Sequence, residues 1–226
     1  MNILFDLDGT LMDPREGIVA CFKHALLGLG HMCTPDSELE RHIGPPLQES
    51  FAVLLGSADS VRINTAVELY RQRFSAKGMF ENAVYPGVHS ALAQLQSLGA
   101  ALYISTSKPR VFAERIVAHF GLECYFRAIY GSELDGTRSN KRDLIANILK
   151  TERMSSDTAF MVGDRAHDMI GAKANRVCPI GALWGFGTRE ELRVAGATLF
   201  CERPEVLSEL FLSENGIQRA NTGGYR

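Results

Sequence analysis

Apolar runs of strand length alternate with amphipathic helical patterns along most of this chain. The strand-length runs cover residues 2–5, 101–106, 128–131, 158–162 and 177–183, and the helical patterns cover 88–98, 111–120, 141–149 and 166–174. Continuous apolar strands separated by helices are typical of a parallel sheet that is covered on both faces. The sequence therefore predicts an α/β fold with a Rossmann-like parallel sheet as its core.

One region interrupts this alternation, because residues 15–80 contain helical patterns and no convincing strand. Ile18, Phe22, Ala25 and Leu29 recur at the spacing of one helix face. We expect a small helical domain, residues 15–81, inserted into a core made of residues 1–14 and 82–213. The remaining residues, 214–226, are polar and rich in glycine, and we expect a poorly ordered tail there.

The composition excludes several classes of protein. Of the 226 residues 46% are hydrophobic and the net charge is −2, so there is no surplus of basic residues to grip nucleic acid or an anionic membrane. No apolar run is long enough to span a bilayer, and no secretory signal is visible, which predicts a cytoplasmic protein. The five cysteines are widely spaced and form no CxxC pair, so neither a disulfide framework nor a zinc site is expected.

The first strand runs directly into two aspartates, in the segment Asp6-Leu7-Asp8-Gly9-Thr10. In an extended segment, side chains two residues apart point the same way, so Asp6 and Asp8 would place like charges close together. That arrangement is costly unless a cation lies nearby or one carboxyl is protonated. A single aspartate here could simply cap a turn, but the whole segment indicates a functional site.

A second acidic segment follows another apolar strand, at Gly163-Asp164-Arg165-Ala166-His167-Asp168. Asp164 ends the strand, and Asp168 falls in the first helical turn, where it could also serve only to complement the helix dipole. In a parallel sheet Asp6, Asp8 and Asp164 all emerge at the carboxyl edge, where open α/β sheets bind their ligands. Hard oxygen ligands without His or Cys suit Mg²⁺.

Two further segments should reach the same edge. Thr106 and Ser107 follow a strand and offer hydroxyl and backbone N–H groups that can hold phosphate oxygens, although an ordinary turn would account for Ser107 equally well. Lys141 opens a helix, where a positive charge is unfavourable unless an anion is close by.

These four segments, in this order, resemble the haloacid dehalogenase superfamily of phosphohydrolases. The resemblance covers residues 1 to about 210 and rests on the segments at Asp6 and Gly163, on Thr106 and on Lys141. It implies that the helical insert is a C1-type cap, a lid that closes over the site and selects the leaving group.

The resemblance also implies a role for each residue. Asp6 would be the nucleophile, Asp8 the general acid and then the base, and Lys141 a partner of Asp6 and of the transferring group. Mg²⁺ would be held by Asp6, Asp164 and the backbone carbonyl of Asp8, while Asp168 would act through water or steady the other ligands. The residues Thr106, Ser107 and Gly9 would hold the phosphate.

Within the superfamily, several stretches resemble phosphoglycolate phosphatase-like proteins and bacterial 5′-nucleotidases. They are Ile-Gly-Pro-Pro-Leu from Ile43, Tyr-Pro-Gly-Val from Tyr85, Thr-Ser-Lys-Pro from Thr106, Leu-Asp-Gly-Thr-Arg-Ser-Asn-Lys from Leu134, and the Leu-Trp-Gly-Phe-Gly loop from Leu183. The expected function is a Mg²⁺-dependent phosphatase of a small phosphorylated metabolite, first a nucleoside 5′-monophosphate and second 2-phosphoglycolate. A sugar phosphomutase and a non-catalytic binding protein are the alternatives.

Overall fold

In the computed structural model, residues 1–32 and 34–212 are described, and parallel strands dominate their arrangement. The strands are β1 (Asn2–Phe5), β2 (Met12–Asp13), β3 (Ala83–Val84), β4 (Ala101–Pro109), β5 (Ala128–Ser132), β6 (Ala159–Gly163), β7 (Cys178–Ala182) and β8 (Leu199–Cys201). The helices are α1 (Arg15–Gly28), α2 (Asp36–Leu39), α3 (Leu47–Leu54), α4 (Ser60–Ala76), α5 (Val88–Ser97), α6 (Arg110–His119), α7 (Lys141–Thr151), α8 (Ala166–Ala174), α9 (Arg189–Ala195) and α10 (Glu209–Leu212). The backbone divides into two units, Met12–Ala83 and the other residues that the structure describes.

Six strands of the larger unit form one parallel sheet, in the order β5-β4-β1-β6-β7-β8. Strand β1 lies near the centre, and Asn2 is in register with Ala101 of β4 and Ala159 of β6. The chain first builds the sheet outward on one side of β1 and then crosses over to β6 on the other side. This reversal opens a crevice at the carboxyl ends of β1 and β6, the place where doubly wound sheets bind ligands.

Helix α7 covers one face of the sheet through an apolar stripe. Its buried residues Leu144, Ile145 and Ile148 belong to one cluster with Leu4 of β1 and Met161 of β6. Ile148 lies three residues after Ile145 and four after Leu144, which is the spacing of a single helix face. Packing of this stripe on the central strands fixes the start of α7 beside the carboxyl edge of the sheet.

The smaller unit, Met12–Ala83, is helical and has an aromatic core of its own. Phe22 of α1 lies 5.2 Å from Phe51 of α3 and 5.1 Å from Tyr70 of α4, measured between ring centroids. Tyr70 stacks in turn on Phe74, one helical turn along α4. Edge-to-face and offset contacts of this kind stabilise a small core beyond the area that they bury.

The expected fold class is confirmed, and two local expectations need correction. Strand β4 continues to Pro109, so Thr106 lies inside the strand rather than after it. The pairing of β4 with β5 becomes irregular between Ser105 and Pro109. Because an irregular strand lacks a regular side-chain pattern, the sequence does not show where β4 ends. Helix α9 and strand β8 were not expected, because both are short. The expected polar tail, 214–226, lies outside the described residues, as does residue 33.

No helix among residues 1–32 and 34–212 combines the length and the apolar character that crossing a lipid bilayer requires.

Candidate active site

Three buried carboxylates meet at the carboxyl edge of β1 and β6. Asp6 follows β1, Asp164 follows β6, and Asp168 lies in the first turn of α8; each offers an oxygen within 4.8 Å of the others. The backbone N–H of Asp6 donates to the Val162 carbonyl at 3.0 Å, which extends the pairing of the two strands into the site. The parallel register thus brings together residues that are more than 150 positions apart in the chain.

Lys141, the first residue of α7, supplies a positive charge at this cluster. Its Nζ lies 2.9 Å from Oδ1 of Asp6 and 2.7 Å from Oδ1 of Asp168, and it donates to the Ser105 carbonyl at 2.6 Å. Lys141 is only 5% exposed, so these charge-assisted contacts are shielded from water. Gly171 of α8 makes room for it, because a Cβ there would lie 2.8 Å from Cβ of Lys141.

The cluster carries more negative than positive charge. Burial, reinforced by the charges of Asp168 and Asp6, raises the pKa of Asp164 well above its usual value. Burial also raises the pKa of Asp168 to about 6, against the opposing attraction of Lys141. Burial alone would lower the pKa of Lys141, but Asp168 and Asp6 outweigh it and the pKa rises. A divalent cation among these oxygens would relieve the repulsion that remains.

Hydrogen bonds fix both oxygens of Asp164. Oδ1 accepts from the Thr10 hydroxyl at 3.0 Å, and Oδ2 accepts from the backbone N–H of Phe186 at 2.9 Å. Gly9 adopts a left-handed φ of +82°, and a Cβ at Gly9 would lie 2.2 Å from Oδ2 of Asp164. The glycine in the first acidic segment is therefore required both by its backbone conformation and by the closeness of Asp164.

Asp8 forms an ion pair with a residue that the sequence analysis did not select. Its Oδ2 lies 2.7 Å from Nζ of Lys108, whose side chain is 7% exposed. Burial raises the pKa of Asp8, and the attraction of Lys108 opposes that rise. Within the described part of the chain, Oδ1 of Asp8 is buried without a hydrogen-bond partner. The sequence signal that could have identified Lys108 is its place in the stretch Thr-Ser-Lys-Pro from Thr106.

The end of β4 contributes hydroxyl groups beside these charges. Thr106 is buried and its Oγ1 accepts from the Lys108 backbone N–H at 3.2 Å, while the carbonyl of Ser107 accepts from the Ser132 hydroxyl at 2.8 Å. Among the described residues, nothing hydrogen-bonds to the buried Oγ of Ser105. Of the residues selected from sequence, the structure places Thr106 and Ser107 at the end of β4, next to Lys108, and it clusters the others at the edge of the sheet: Asp6, Asp8, Gly9, Lys141, Asp164 and Asp168.

Such a site, at the reversal point of a doubly wound sheet, is typical of α/β enzymes that bind small anionic ligands. The site combines negative carboxylates with two positive lysines at close range, and hydroxyl groups lie nearby. Phosphoryl transfer requires charged and polar groups held in position in this way. The family model of haloacid dehalogenase-like hydrolases matches residues 3–182, and the chain belongs to this family. It is a phosphoric monoester hydrolase.

Its relatives carry several names. A 5′-nucleotidase of Pseudomonas aeruginosa is 48% identical over 88% of this chain and 90% of its own length. The tyrosine-protein kinase PtkA of Mycobacterium tuberculosis is 37% identical over 87% of this chain and 67% of its own length. The crystal structure of a predicted phosphatase from Clostridium acetobutylicum has a TM-score of 0.89 and 42% identity, covering 93% of this chain and 97% of that one.

The close approach of Gly9 to Asp164 yields a test with a matched control. Gly9→Ala should reduce phosphatase activity by roughly 100-fold or more, because the new methyl group displaces a carboxylate that its own network of hydrogen bonds holds in place. Gly99→Ala places alanine at a similar φ of +78° with no atom within 4 Å. Backbone strain costs each variant about 1–2 kcal/mol. The comparison therefore separates the effect of strain from the effect of the steric clash with Asp164.

Turnover of para-nitrophenyl phosphate and the unfolding temperature would be measured for both variants. Equal activity in the two variants would show that Gly9 is required only for its backbone conformation.

Proposed function

We propose that this protein is a Mg²⁺-dependent phosphomonoesterase that works through an aspartyl-phosphate on Asp6 and hydrolyses nucleoside 5′-monophosphates. The observation that carries the proposal is the position of Asp6, whose Oδ1 accepts from the Leu7 N–H at 2.8 Å and pairs with Lys141 at 2.9 Å. These contacts hold the carboxylate in one orientation, and Asp6 is the most exposed of the three clustered aspartates, at 8%.

The chemistry divides into two steps. A carboxylate oxygen of Asp6 attacks phosphorus, the bond from phosphorus to the ester oxygen breaks, and Asp8 donates a proton to the departing alkoxide. In the second step Asp8 accepts a proton from water, which attacks phosphorus and releases phosphate and free Asp6. Lys108 suits Asp8 to this double role, because a nearby cation makes the ionised form accessible despite burial.

The donor set fits Mg²⁺. We assign Asp6, Asp164 and the backbone carbonyl of Asp8 as ligands, with Asp168 acting through water or by holding Lys141 in place. All of these donors are oxygens, as Mg²⁺ prefers, and the buried carboxylates carry charge that Lys141 alone leaves unbalanced. When bound, Mg²⁺ would neutralise the charge of the phosphoryl oxygens.

We assign the phosphoryl oxygens to the residues around the end of β4 and to Lys141. Hydrogen-bond donors of the kind that bind phosphate are available there: the Thr106 hydroxyl, the backbone N–H groups of Ser107 and Gly9, and the ammonium of Lys141. We also propose that residues 15–81 are an inserted cap and that residues 1–14 with 82–213 are the catalytic core.

The nucleotide substrate is supported by the relative named 5′-nucleotidase, at 48% identity. The phosphoglycolate phosphatase of Pseudomonas fluorescens is more distant, at 26% identity, and makes 2-phosphoglycolate the second candidate. The relationship to PtkA makes phosphoryl transfer to tyrosine a third outcome to be measured.

Replacing the proposed nucleophile tests the reaction. Asp6→Asn should lower kcat by roughly 10³-fold or more, because the amide cannot form the aspartyl-phosphate. The control is Asp143→Asn, which makes the same chemical change at an exposed position of α7. Both would be assayed with para-nitrophenyl phosphate, with and without Mg²⁺, and wild-type turnover should disappear when Mg²⁺ is chelated. Full turnover in Asp6→Asn would remove Asp6 from the nucleophile role.

A panel of phosphate compounds tests the substrate. Phosphate release with Mg²⁺ should show the highest kcat/KM for nucleoside 5′-monophosphates, above 2-phosphoglycolate and sugar phosphates. Preference for 2-phosphoglycolate would reverse our order, and phosphate passing from one sugar phosphate to another faster than to water would indicate a mutase. Labelled ATP with a tyrosine-containing peptide would reveal transfer to tyrosine, and binding without any turnover would indicate a binding protein.

A further inference from the structure

The loop of residues 183–187, which follows β7, lies against Asp164 along its backbone. Phe186 donates its N–H to Oδ2 of Asp164 at 2.9 Å. A Cβ at Gly185 would lie 2.3 Å from Cβ of Asp164 and 2.3 Å from the Gly9 carbonyl oxygen, and a Cβ at Gly187 would lie 2.0 Å from the Asp164 carbonyl oxygen. Only residues without a side chain allow the 183–187 loop to approach so closely.

The side chain of Trp184 connects the same loop to the segment after β1. Its indole Nε1 donates to the Thr10 carbonyl at 2.8 Å, and the Thr10 hydroxyl donates to Oδ1 of Asp164 at 3.0 Å. The 183–187 loop therefore holds one oxygen of Asp164 directly, through Phe186, and the other through Thr10. Thr10 and Asp164 are both fully buried, so water does not compete for these bonds.

This double attachment matters because Asp164 is repelled by its neighbours. Asp6 and Asp168 each place a carboxylate oxygen within 4.8 Å of an oxygen of Asp164. A carboxylate in that position would turn away unless hydrogen bonds held it, and holding it in advance reduces the ordering that cation binding must otherwise bring about. Groups that hold a ligand in this way commonly change metal affinity about 10–100-fold when they are removed.

We propose that Trp184 is a positioning residue for the cation site: by holding the Thr10 carbonyl it orients the Thr10 hydroxyl onto Asp164 and so raises the affinity for Mg²⁺. The inference rests on the proposed Mg²⁺ site and adds to it a residue from the 183–187 loop, which follows β7 and is separate in sequence from both acidic segments. The chain contains a single tryptophan, so the substitution changes one indole only.

The test is calorimetric titration of the full chain with Mg²⁺ alone, without substrate. Trp184→Phe keeps an aromatic ring and removes the N–H donor, so Kd for Mg²⁺ should rise about 10-fold. Thr10→Val, which removes the hydroxyl with little change of shape, should weaken Mg²⁺ binding at least as much, and Thr10→Ser should restore it. The double variant of Trp184→Phe and Thr10→Val should bind no more weakly than Thr10→Val, because Trp184 acts through that hydroxyl.

Activity and stability distinguish positioning from packing. In Trp184→Phe the Mg²⁺ concentration that gives half-maximal activity should rise, while KM for the substrate at saturating Mg²⁺ changes little. A lower unfolding temperature of Trp184→Phe with unchanged Kd for Mg²⁺ would overturn the proposal. A double variant in which the losses of Mg²⁺ binding free energy from the two substitutions add fully would also overturn it. If Trp184→Phe fails to fold, equal Kd values for Thr10→Val and Thr10→Ser would overturn it. Absence of Mg²⁺ binding in the wild type would instead remove the Mg²⁺ site itself.

Discussion

The crowding of three carboxylates around one lysine is the constraint on which the rest of the site depends. Asp6, Asp164 and Asp168 are buried within a few ångströms of one another, and Lys141 contacts only the first and the third of them directly. Burial of like charges is costly, and structures tolerate it where a function requires it. Asp164 is held among these like charges by hydrogen bonds from the Thr10 hydroxyl and the Phe186 N–H. The left-handed Gly9 leaves room for its carboxylate.

The parallel sheet makes this crowding possible. Two neighbouring strands that run in the same direction deliver their following loops to one edge, and the reversal between β1 and β6 leaves that edge open. Helix α7 delivers Lys141 there because its apolar stripe is packed on the central strands. The hydrophobic core and the chemistry are thus coupled, since shifting α7 by one turn would move the lysine by 5.4 Å.

Much of this arrangement could be predicted from sequence, and the remainder could not for a definite reason. Strand β1 and the two acidic segments are local patterns: an apolar run that ends in closely spaced carboxylates is visible in any window that contains it. The pairing of Asp8 with Lys108 and the bond from Trp184 to Thr10 join residues that only the tertiary fold brings together. Strand β8 has three residues, too few for a period to be recognised.

The proposed chemistry requires one cation to be shared by the two acidic segments. Thermal unfolding measured with and without Mg²⁺, at several pH values, tests whether that cation binds. Because the folded-state pKa values of Asp164 and Asp168 are raised, the stability that these groups contribute in the metal-free protein is lost as pH rises through those values. Mg²⁺ binds the ionised form, so its stabilisation should be larger at about pH 8 than at about pH 5 and should disappear in Asp164→Asn. An unfolding temperature that Mg²⁺ leaves unchanged at about pH 8, or a shift that survives in Asp164→Asn, would contradict the account.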